Sequence, residues 1–270
     1  MTTAPIIVNI SKDPDCLYAK ELCLFLESKG IKSWITTEIT KDIYIADGND
    51  SKSAFLIILG GDGTMLKAAP RAAMLNIPLF GINLGNVGFL TTVPKNRGLH
   101  ALEKICLGEY SIEERMMLEV DFGTDKPIPL HRKLALNECF IGGSGKLTEL
   151  SLYINNEHID VIRADGLIIS TPTGSTAYNQ SAGGPVLMPL SEMLVITPVC
   201  PHHPASRPLV IGPNDNIRII ARGETSFIID GRTKRKLPSE GSILICASEI
   251  KTKIIKTAST IYGTLKRKKW

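Results

Sequence analysis

The chain has 270 residues, 43% of them hydrophobic and 21% charged, a balance that supports at least one sizeable core and excludes a disordered chain. Its formal net charge is +4, from 31 basic and 27 acidic side chains; this is too small an excess to indicate a nucleic-acid partner, but it suits anionic ligands. No apolar run reaches about 18 residues, and Met1-Thr2-Thr3-Ala4-Pro5 is not a basic segment leading into an apolar one, so neither a membrane partner nor a secretory leader is expected.

Pro5-Ile6-Ile7-Val8-Asn9-Ile10 is a short β-branched run and predicts a buried strand. Residues 15–29 carry apolar side chains at Leu17, Leu22, Phe25 and Leu26 and close at Gly30, the pattern of an amphipathic helix with an acidic start and a glycine stop. Residues 31–36 predict a second strand. Residues 54–59 form a continuous apolar run ending at Gly60, which predicts a central strand buried on both faces. The spacing then predicts a helix over 65–75, kinked or restarted at Pro70, and a strand over 77–83. Such alternation implies a parallel sheet.

Beyond about Pro94 short strand patterns dominate: 117–122, 134–141, 150–154, 166–170, 215–221, 224–230 and 242–247, with turns such as Asn155-Asn156 and Asp230-Gly231. The expected fold class is therefore an α/β N-terminal domain with a parallel, Rossmann-like sheet, followed by an all-β antiparallel C-terminal domain. Residues 1–95 are expected to form the α/β domain and 96–249 the β-rich domain, with 95–108 as the junction. Residues 250–270 return to the first domain, and the basic end from Tyr262 to Trp270 suits a short helix. The six cysteines, at 16, 23, 106, 139, 200 and 246, form no Cys-x-x-Cys pair and read as reduced thiols of a cytoplasmic protein.

The most informative local motif is Gly60-Gly61-Asp62-Gly63-Thr64, placed between a strand and a helix. Glycines allow close approach to a bulky anion, and the helix start offers free N–H groups to phosphate. An aspartate beside phosphates needs a reason: it holds a metal, or it accepts a proton from an attacking hydroxyl. A tight structural turn with Asp62 as helix cap is the competing explanation. The turn is no Walker P-loop. Gly142-Gly143-Ser144-Gly145-Lys146 also fails that pattern, because Phe140 and Leu147 occupy its first and last positions. No Gly-x-Gly-x-x-Gly fingerprint is present, so a dinucleotide used for hydride transfer is unsupported.

Three further motifs follow. Asn83-Leu84-Gly85-Asn86-Val87-Gly88-Phe89-Leu90-Thr91 comes after a strand and so lies at the carboxyl edge of the sheet, where ligand crevices form. Asn137-Glu138 interrupts a strand pattern and could grip vicinal hydroxyls, or be an ordinary edge-strand pair. The block from Arg163 to Pro185 crowds Thr, Ser and Asn around glycines, with Tyr178 offering a ring face; this composition can read a nucleobase edge. Pro201-His202-His203-Pro204 is a poor metal site, because adjacent histidines do not easily converge on one ion.

Taken in order, these motifs resemble the NAD kinase family, as do Thr197-Pro198, Arg207-Pro208-Leu209, Asp230-Gly231 and the basic C-terminal end. Thr92, where many members carry an acidic residue, departs from the pattern. The resemblance implies transfer of the γ-phosphate of ATP, or of polyphosphate, to the 2′-hydroxyl of the adenosine ribose of NAD. It implies Asp62 as general base and Gly60, Gly61, Gly63 and Thr64 as the phosphate cradle. Asn137 and Glu138 would hold ribose and adenosine, and Thr173, Thr176, Ala177 and Tyr178 would line the adenine pocket. Asp165 and Ser181 would lie near the other nucleoside half, with Arg163 and Gly63 also on the substrate. Mg²⁺ or another divalent cation would travel with the donor, and the chain would form a homo-dimer or homo-tetramer. Two other readings remain open at this point: a lipid kinase, which shares the glycine turn, and a non-catalytic NAD-binding protein.

Overall fold

The computed structural model describes residues 2–37, 54–86, 88–123, 133–143, 147–203 and 205–257. They divide into two units, one running to Glu114 and resuming at Thr252, the other spanning Arg115–Lys251. The partition thus falls beyond the expected 95/96. The basic end from Tyr262 to Trp270 lies outside the described residues.

In the first unit, β1 (Ile6–Val8) leads to α1 (Leu17–Ser28), β2 (Ile35–Thr36), β3 (Leu56–Gly60), α2 (Asp62–Met74), β4 (Leu79–Asn83), β5 (Val93–Pro94), α3 (Gly98–Cys106) and β6 (Ser111–Arg115). The helix start at α1 is set by Asp13, not Asp15: its carboxylate accepts from the N–H groups of Tyr18 and Ala19 at 3.4 and 3.1 Å. Gly30 ends the helix in the left-handed region at φ +74°, and the N–H of Ile31 bonds back to Leu26. Helix α2 begins at Asp62, earlier than the apolar spacing indicates, and runs through Pro70 unbroken. The buried face of Ala68, Ala69, Ala72 and Ala73 holds it against the sheet despite the lost hydrogen bond. Segment 95–108, expected as the junction, lies inside the first unit. It is a 3-10 turn and α3, whose Ala101, Leu102 and Ile105 join the same core as α1 and β3.

The sheet order is β2-β1-β3-β4, continuing to β19 (Thr252–Lys256) and β6, with β5 beside β4. Pairings β1/β2, β1/β3, β3/β4 and β4/β19 are all parallel. From β1 the chain moves outward through α1 to β2, and from β3 it moves the other way through α2 to β4. The order therefore reverses between β1 and β3, and a crevice opens at their carboxyl ends.

The second unit has two six-stranded sheets. One contains β7 (Leu118–Gly123), β8 (Lys133–Ala135), β10 (Thr148–Ile154), β11 (Glu157–Ala164), β15 (Ile217–Arg222) and β18 (Ser242–Ala247). The other contains β9 (Glu138–Gly142), β12 (Gly166–Ser170), β13 (Leu194–Val199), β14 (Leu209–Ile211), β16 (Thr225–Ile229) and β17 (Thr233–Leu237), with the short α4 (Tyr178–Ser181) after β12. All neighbouring strands in both sheets pair antiparallel. Their inner faces meet in one core, with Leu118, Leu150, Ile219 and Ile245 from the first sheet and Ile141, Leu167, Ile196 and Phe227 from the second. The single strand expected over 134–141 is two strands in different sheets, and the chain changes sheets at Leu136-Asn137.

Candidate functional site

Each unit carries one cluster of the sequence-derived candidates. In the first, β3 delivers Gly60 to the carboxyl edge, and α2 starts immediately after Gly61. The N–H groups of Asp62 and Gly63 take no acceptor among the described residues, as expected at a helix start, and remain available to an anion. Thr64 is tied to the end of β1: its hydroxyl accepts from the Asn9 amide at 3.4 Å. A side chain at Gly60 would strike Thr64, so the turn needs glycine there.

Asp62 does not cap its own helix. Its carboxylate reaches the loop of the second motif, where Oδ2 accepts from the N–H of Phe89 at 2.8 Å. Oδ1 accepts from the N–H groups of Leu90 and Thr91 at 3.1 and 2.9 Å and from the Thr91 hydroxyl at 2.9 Å. That hydroxyl in turn accepts from the buried Asn83 amide at 2.7 Å, and Asn83 Oδ1 accepts from the N–H of Gly85. Asn83, Thr91 and Asp62 thus form one polar chain that fixes the carboxylate. Gly88 leaves the room it needs, since a Cβ there would fall on the Asp62 carboxyl group. The first two motifs are one device. Asn83, Gly88 and Thr91 belong to it in ways that spacing alone does not reveal.

In the second unit, Asn137 and Glu138 are buried at 8% and 6% exposure, Asn137 where the chain changes sheets and Glu138 at the start of β9, an interior strand and not an edge one. The cause is Asp230, whose carboxylate accepts from the N–H groups of Leu136, Asn137 and Glu138 at 2.9, 2.8 and 3.1 Å. In sequence Asp230 belongs only to a turn with Gly231; its φ of +48° marks the tight turn that aims its carboxylate. Glu138 Oε2 is buried with no hydrogen-bond partner among the described residues. Burial, reinforced by the nearby Asp230, pushes the Glu138 carboxyl up to about 8. Burial also raises Asp230, but its backbone donors and Arg232 oppose that rise. Glu138 is therefore the member of the pair that carries a proton near neutrality.

The long block divides into scaffold and surface. Thr171, Ser175 and Asn179 are buried and serve the turn itself. The Thr171 hydroxyl donates to Leu136 O, Ser175 to Pro172 O, and the Asn179 amide to Ser175 O and Pro185 O. Gly174 rests against the backbone of Asn137, where a side chain would not fit. Thr173 is buried beside that contact, with its hydroxyl 3.4 Å from the Arg115 guanidinium. Thr176 and Ala177 are half-buried, while Tyr178, Ser181 and Asp165 are exposed. Tyr178 leans on Phe140 at 5.6 Å between ring centres and keeps 42% of its surface open. Arg163 is placed differently: its guanidinium is held by Glu149 at 3.1 Å, and Arg222 shares that carboxylate. His203 organises its own loop, accepting from the N–H of Ala205 at 3.2 Å. No group of three His, Cys, Asp or Glu side chains suited to a metal ion occurs among the described residues.

A parallel α/β unit with a glycine turn and a fixed carboxylate, joined to a β unit with a buried Asn-Glu pair and an open tyrosine, defines a nucleotide-handling phosphotransferase. Residues 5–110 match the model of the ATP-NAD kinase N-terminal domain and residues 136–257 that of the ATP-NAD kinase C-terminal domain. The chain is 37% identical to an NAD kinase of Thermoanaerobacter sp. (strain X514) over 100% of its own length and 99% of the relative. It is 35% identical to one of Clostridium perfringens (strain 13 / Type A), over 100% and 98%. Among solved structures, an NAD kinase from Archaeoglobus fulgidus in complex with ATP superposes with a TM-score of 0.80 at 25% identity, covering 99% of this chain and 98% of that one. Yeast NADH kinase complexed with NADH shares the fold, with a TM-score of 0.81 at 21% identity over 98% and 86%. The chain belongs to the NAD kinase family.

Proposed function

We propose that this chain transfers the γ-phosphoryl group of ATP to the 2′-hydroxyl of the adenosine ribose of NAD, forming NADP and ADP. The observation that carries this reading in the chain's own chemistry is the Asp62 carboxylate, fixed beside free helix-start N–H groups by the second motif loop. A ribose hydroxyl is a poor nucleophile at neutral pH. In this reading Asp62 takes its proton as the 2′-oxygen bonds to the γ-phosphorus and the bond to the bridging oxygen of ADP breaks. General-base assistance contributes about 10²–10⁴-fold, and alignment of hydroxyl and phosphoryl group contributes more.

The remaining roles follow the family resemblance and are supported by the geometry of each unit. The N–H groups at Gly61, Asp62 and Gly63, with Gly60 and Thr64 shaping the turn, receive donor phosphate. Glu138 and Asn137 hold the adenosine ribose; the unpartnered Oε2 of Glu138 is a polar atom that a ligand hydroxyl would satisfy. Tyr178 stacks on the base, lined by Thr173, Thr176 and Ala177. Asp165 and Ser181, both exposed, contact the second nucleoside. Arg163 is engaged by Glu149 and is given no ligand in this scheme.

A divalent cation would fit as part of the donor. Asp62 Oδ2 accepts one hydrogen bond and keeps lone pairs, so Asp62 could help to hold such a cation together with phosphate oxygens and water. When bound, the cation neutralises charge on the transferring phosphoryl group. The family also leads us to infer a homo-dimer or homo-tetramer in the cytoplasm; no helix among the described residues is long and apolar enough to cross a membrane. Incubation of the pure protein with ATP and Mg²⁺, plus either NAD or diacylglycerol, tests the activity. NADP should form. Phosphorylation of the lipid in its place, or tight NAD binding with no turnover, would overturn the reading.

A further inference from the structure

A cavity of about 740 Å³ lies wholly within the second unit, and none of the residues assigned to substrate above lines it. That volume is in the range of small-molecule sites. Two links between the sheets frame it. The turn at Arg222, Gly223 and Glu224 carries the chain from β15 in one sheet to β16 in the other, and Pro238 and Ser239 carry it back from β17 to β18. Gly223 makes the first turn possible at φ +87°. The links are tied together: the N–H of Glu240 bonds to Ala221 O at 3.1 Å, and the N–H of Ala221 to Gly241 O at 3.2 Å. The walls are therefore preformed. The register sets Ser226 opposite Gly142 and Ile229 opposite Cys139, so the cavity stands at the end of β9 away from Glu138. At ~3.3 Å per residue, the two ends of β9 are about 13 Å apart.

Three cations converge on this cavity. Lys234 and Lys236 are two apart on β17 and share a face, with Lys236 directly opposite Ser226. Neither ammonium makes an ion pair among the described residues. Arg222 comes from the other sheet. Its NH1 donates to Glu149 at 2.8 Å, a carboxylate that Arg163 also uses, and its other N–H groups are unengaged among the described residues. Two buried hydroxyls stand beside them. Thr225 donates to Gly223 O and Ser226 to Gly142 O, each over 3.4 Å, and bonds that long are readily exchanged for shorter ones. Glu224 adds one exposed carboxylate. Because β17 is an edge strand, its lysines could serve only to block pairing with another strand. That purpose needs neither a guanidinium from the opposite sheet nor buried hydroxyls, whereas all of them suit a phosphorylated ligand.

We propose that this cavity is a second ligand site, separate from the Asn137-Glu138 pair, and that it takes a small phosphorylated polyol such as a sugar bisphosphate. Lys234, Lys236 and Arg222 hold the phosphate groups. Glu224 accepts from a hydroxyl of the ligand, and Thr225 and Ser226 complete the polar wall. The carboxylate distinguishes this ligand from a bare inorganic anion: against phosphate alone it is repulsive, and only a hydroxyl donor makes it favourable. The site is independent of the kinase reading above.

The test uses the full chain, with acetylation of surface lysines by an N-hydroxysuccinimide ester read residue by residue in a mass spectrometer. Fructose 1,6-bisphosphate should slow acetylation of Lys234 and Lys236 and leave the exposed Lys29 and Lys251 unaffected. Potassium chloride at matched ionic strength should protect none of them; equal protection by chloride would reduce the two lysines to an edge guard and overturn the site. In Lys236→Ala, the bisphosphate concentration that half-protects Lys234 should rise about 10–100-fold, the worth of a hydrogen bond to a charged group. An unchanged concentration would also overturn the site. Glu224→Ala separates the ligand classes. It should raise the half-protecting concentration of the bisphosphate about 3–10-fold by removing a hydroxyl acceptor, and lower that of inorganic pyrophosphate by removing a repulsive charge. A shift in the same direction for both probes would overturn the polyol assignment. Because the readout is not turnover, failure here leaves the kinase reading standing, and an inactive wild type leaves this site standing.

Discussion

Substituting alanine for Gly88 probes the join between the two N-terminal motifs. The new Cβ would lie 2.0 Å from Asp62 Oδ1 and 2.3 Å from its Cγ and Oδ2, whereas real Cβ contacts stay beyond 3.0 Å. The carboxylate must therefore recede by about 1 Å, or the loop must lift by as much. Either movement breaks bonds now at 2.8–3.1 Å to Phe89, Leu90 and Thr91. Each hydrogen bond to a charged group is worth about 1.5–3 kcal/mol, so losing one costs about 2–3 kcal/mol. For a protein of this size that lowers Tm by roughly 5–10 °C. A misplacement of about 1 Å in a catalytic group costs on the order of 10²-fold in rate. Steady-state assay of Gly88→Ala should show kcat reduced by about that factor, while calorimetry shows NAD affinity little changed. A variant with wild-type kcat and Tm would refute the claim that this loop positions Asp62.

Three further outcomes follow from the second unit. Asp230→Ala leaves the buried N–H groups of Leu136, Asn137 and Glu138 without their acceptor; at about 1–3 kcal/mol each, denaturant unfolding should show at least ~3 kcal/mol of lost stability. Because Glu138 sits at about 8 when folded against an ordinary 4.5, the native state holds a proton that the unfolded chain releases. Its stabilising contribution is full below about pH 4.5 and is lost as pH rises through about 8, by up to roughly 4–5 kcal/mol. Thermal melts at pH 6 and pH 9 should therefore differ less for Glu138→Gln than for the wild type, and parallel profiles would contradict the protonated carboxyl. Tyr178→Ala should raise KM for NAD about 10–100-fold by removing a stacking face, with Tyr178→Phe close to wild type; equal losses in both would point to the hydroxyl instead.

Much of this was legible in order along the chain. The run ending at Gly60, the glycine turn and the later short strands carry periodicity and turn chemistry, which local sequence encodes directly. Helix α3 was hidden because Lys95-Asn96-Arg97-Gly98 reads as a loop, although Ala101, Leu102 and Ile105 already carry helical spacing. Pro70 looked like a break, yet four buried alanines hold α2 together around it. Asp230 was illegible for a different reason. It acts on residues more than ninety positions away. The block from Arg163 to Pro185 stands out as a unit by composition, but composition does not show that Thr171, Ser175 and Asn179 build the turn while Tyr178 stays open. Long-range partnership decided those assignments, and no local pattern reports it.

The decisive step is removal of the proton from the ribose hydroxyl. Asp62→Asn keeps size and shape and removes the basic oxygen, so the measurement is kcat for NADP formation beside the Kd for NAD, taken on the same preparation. With Asp62 as the base, kcat should fall by at least about 10²-fold with Kd for NAD within a few-fold of wild type. Near-normal turnover in Asp62→Asn would contradict it.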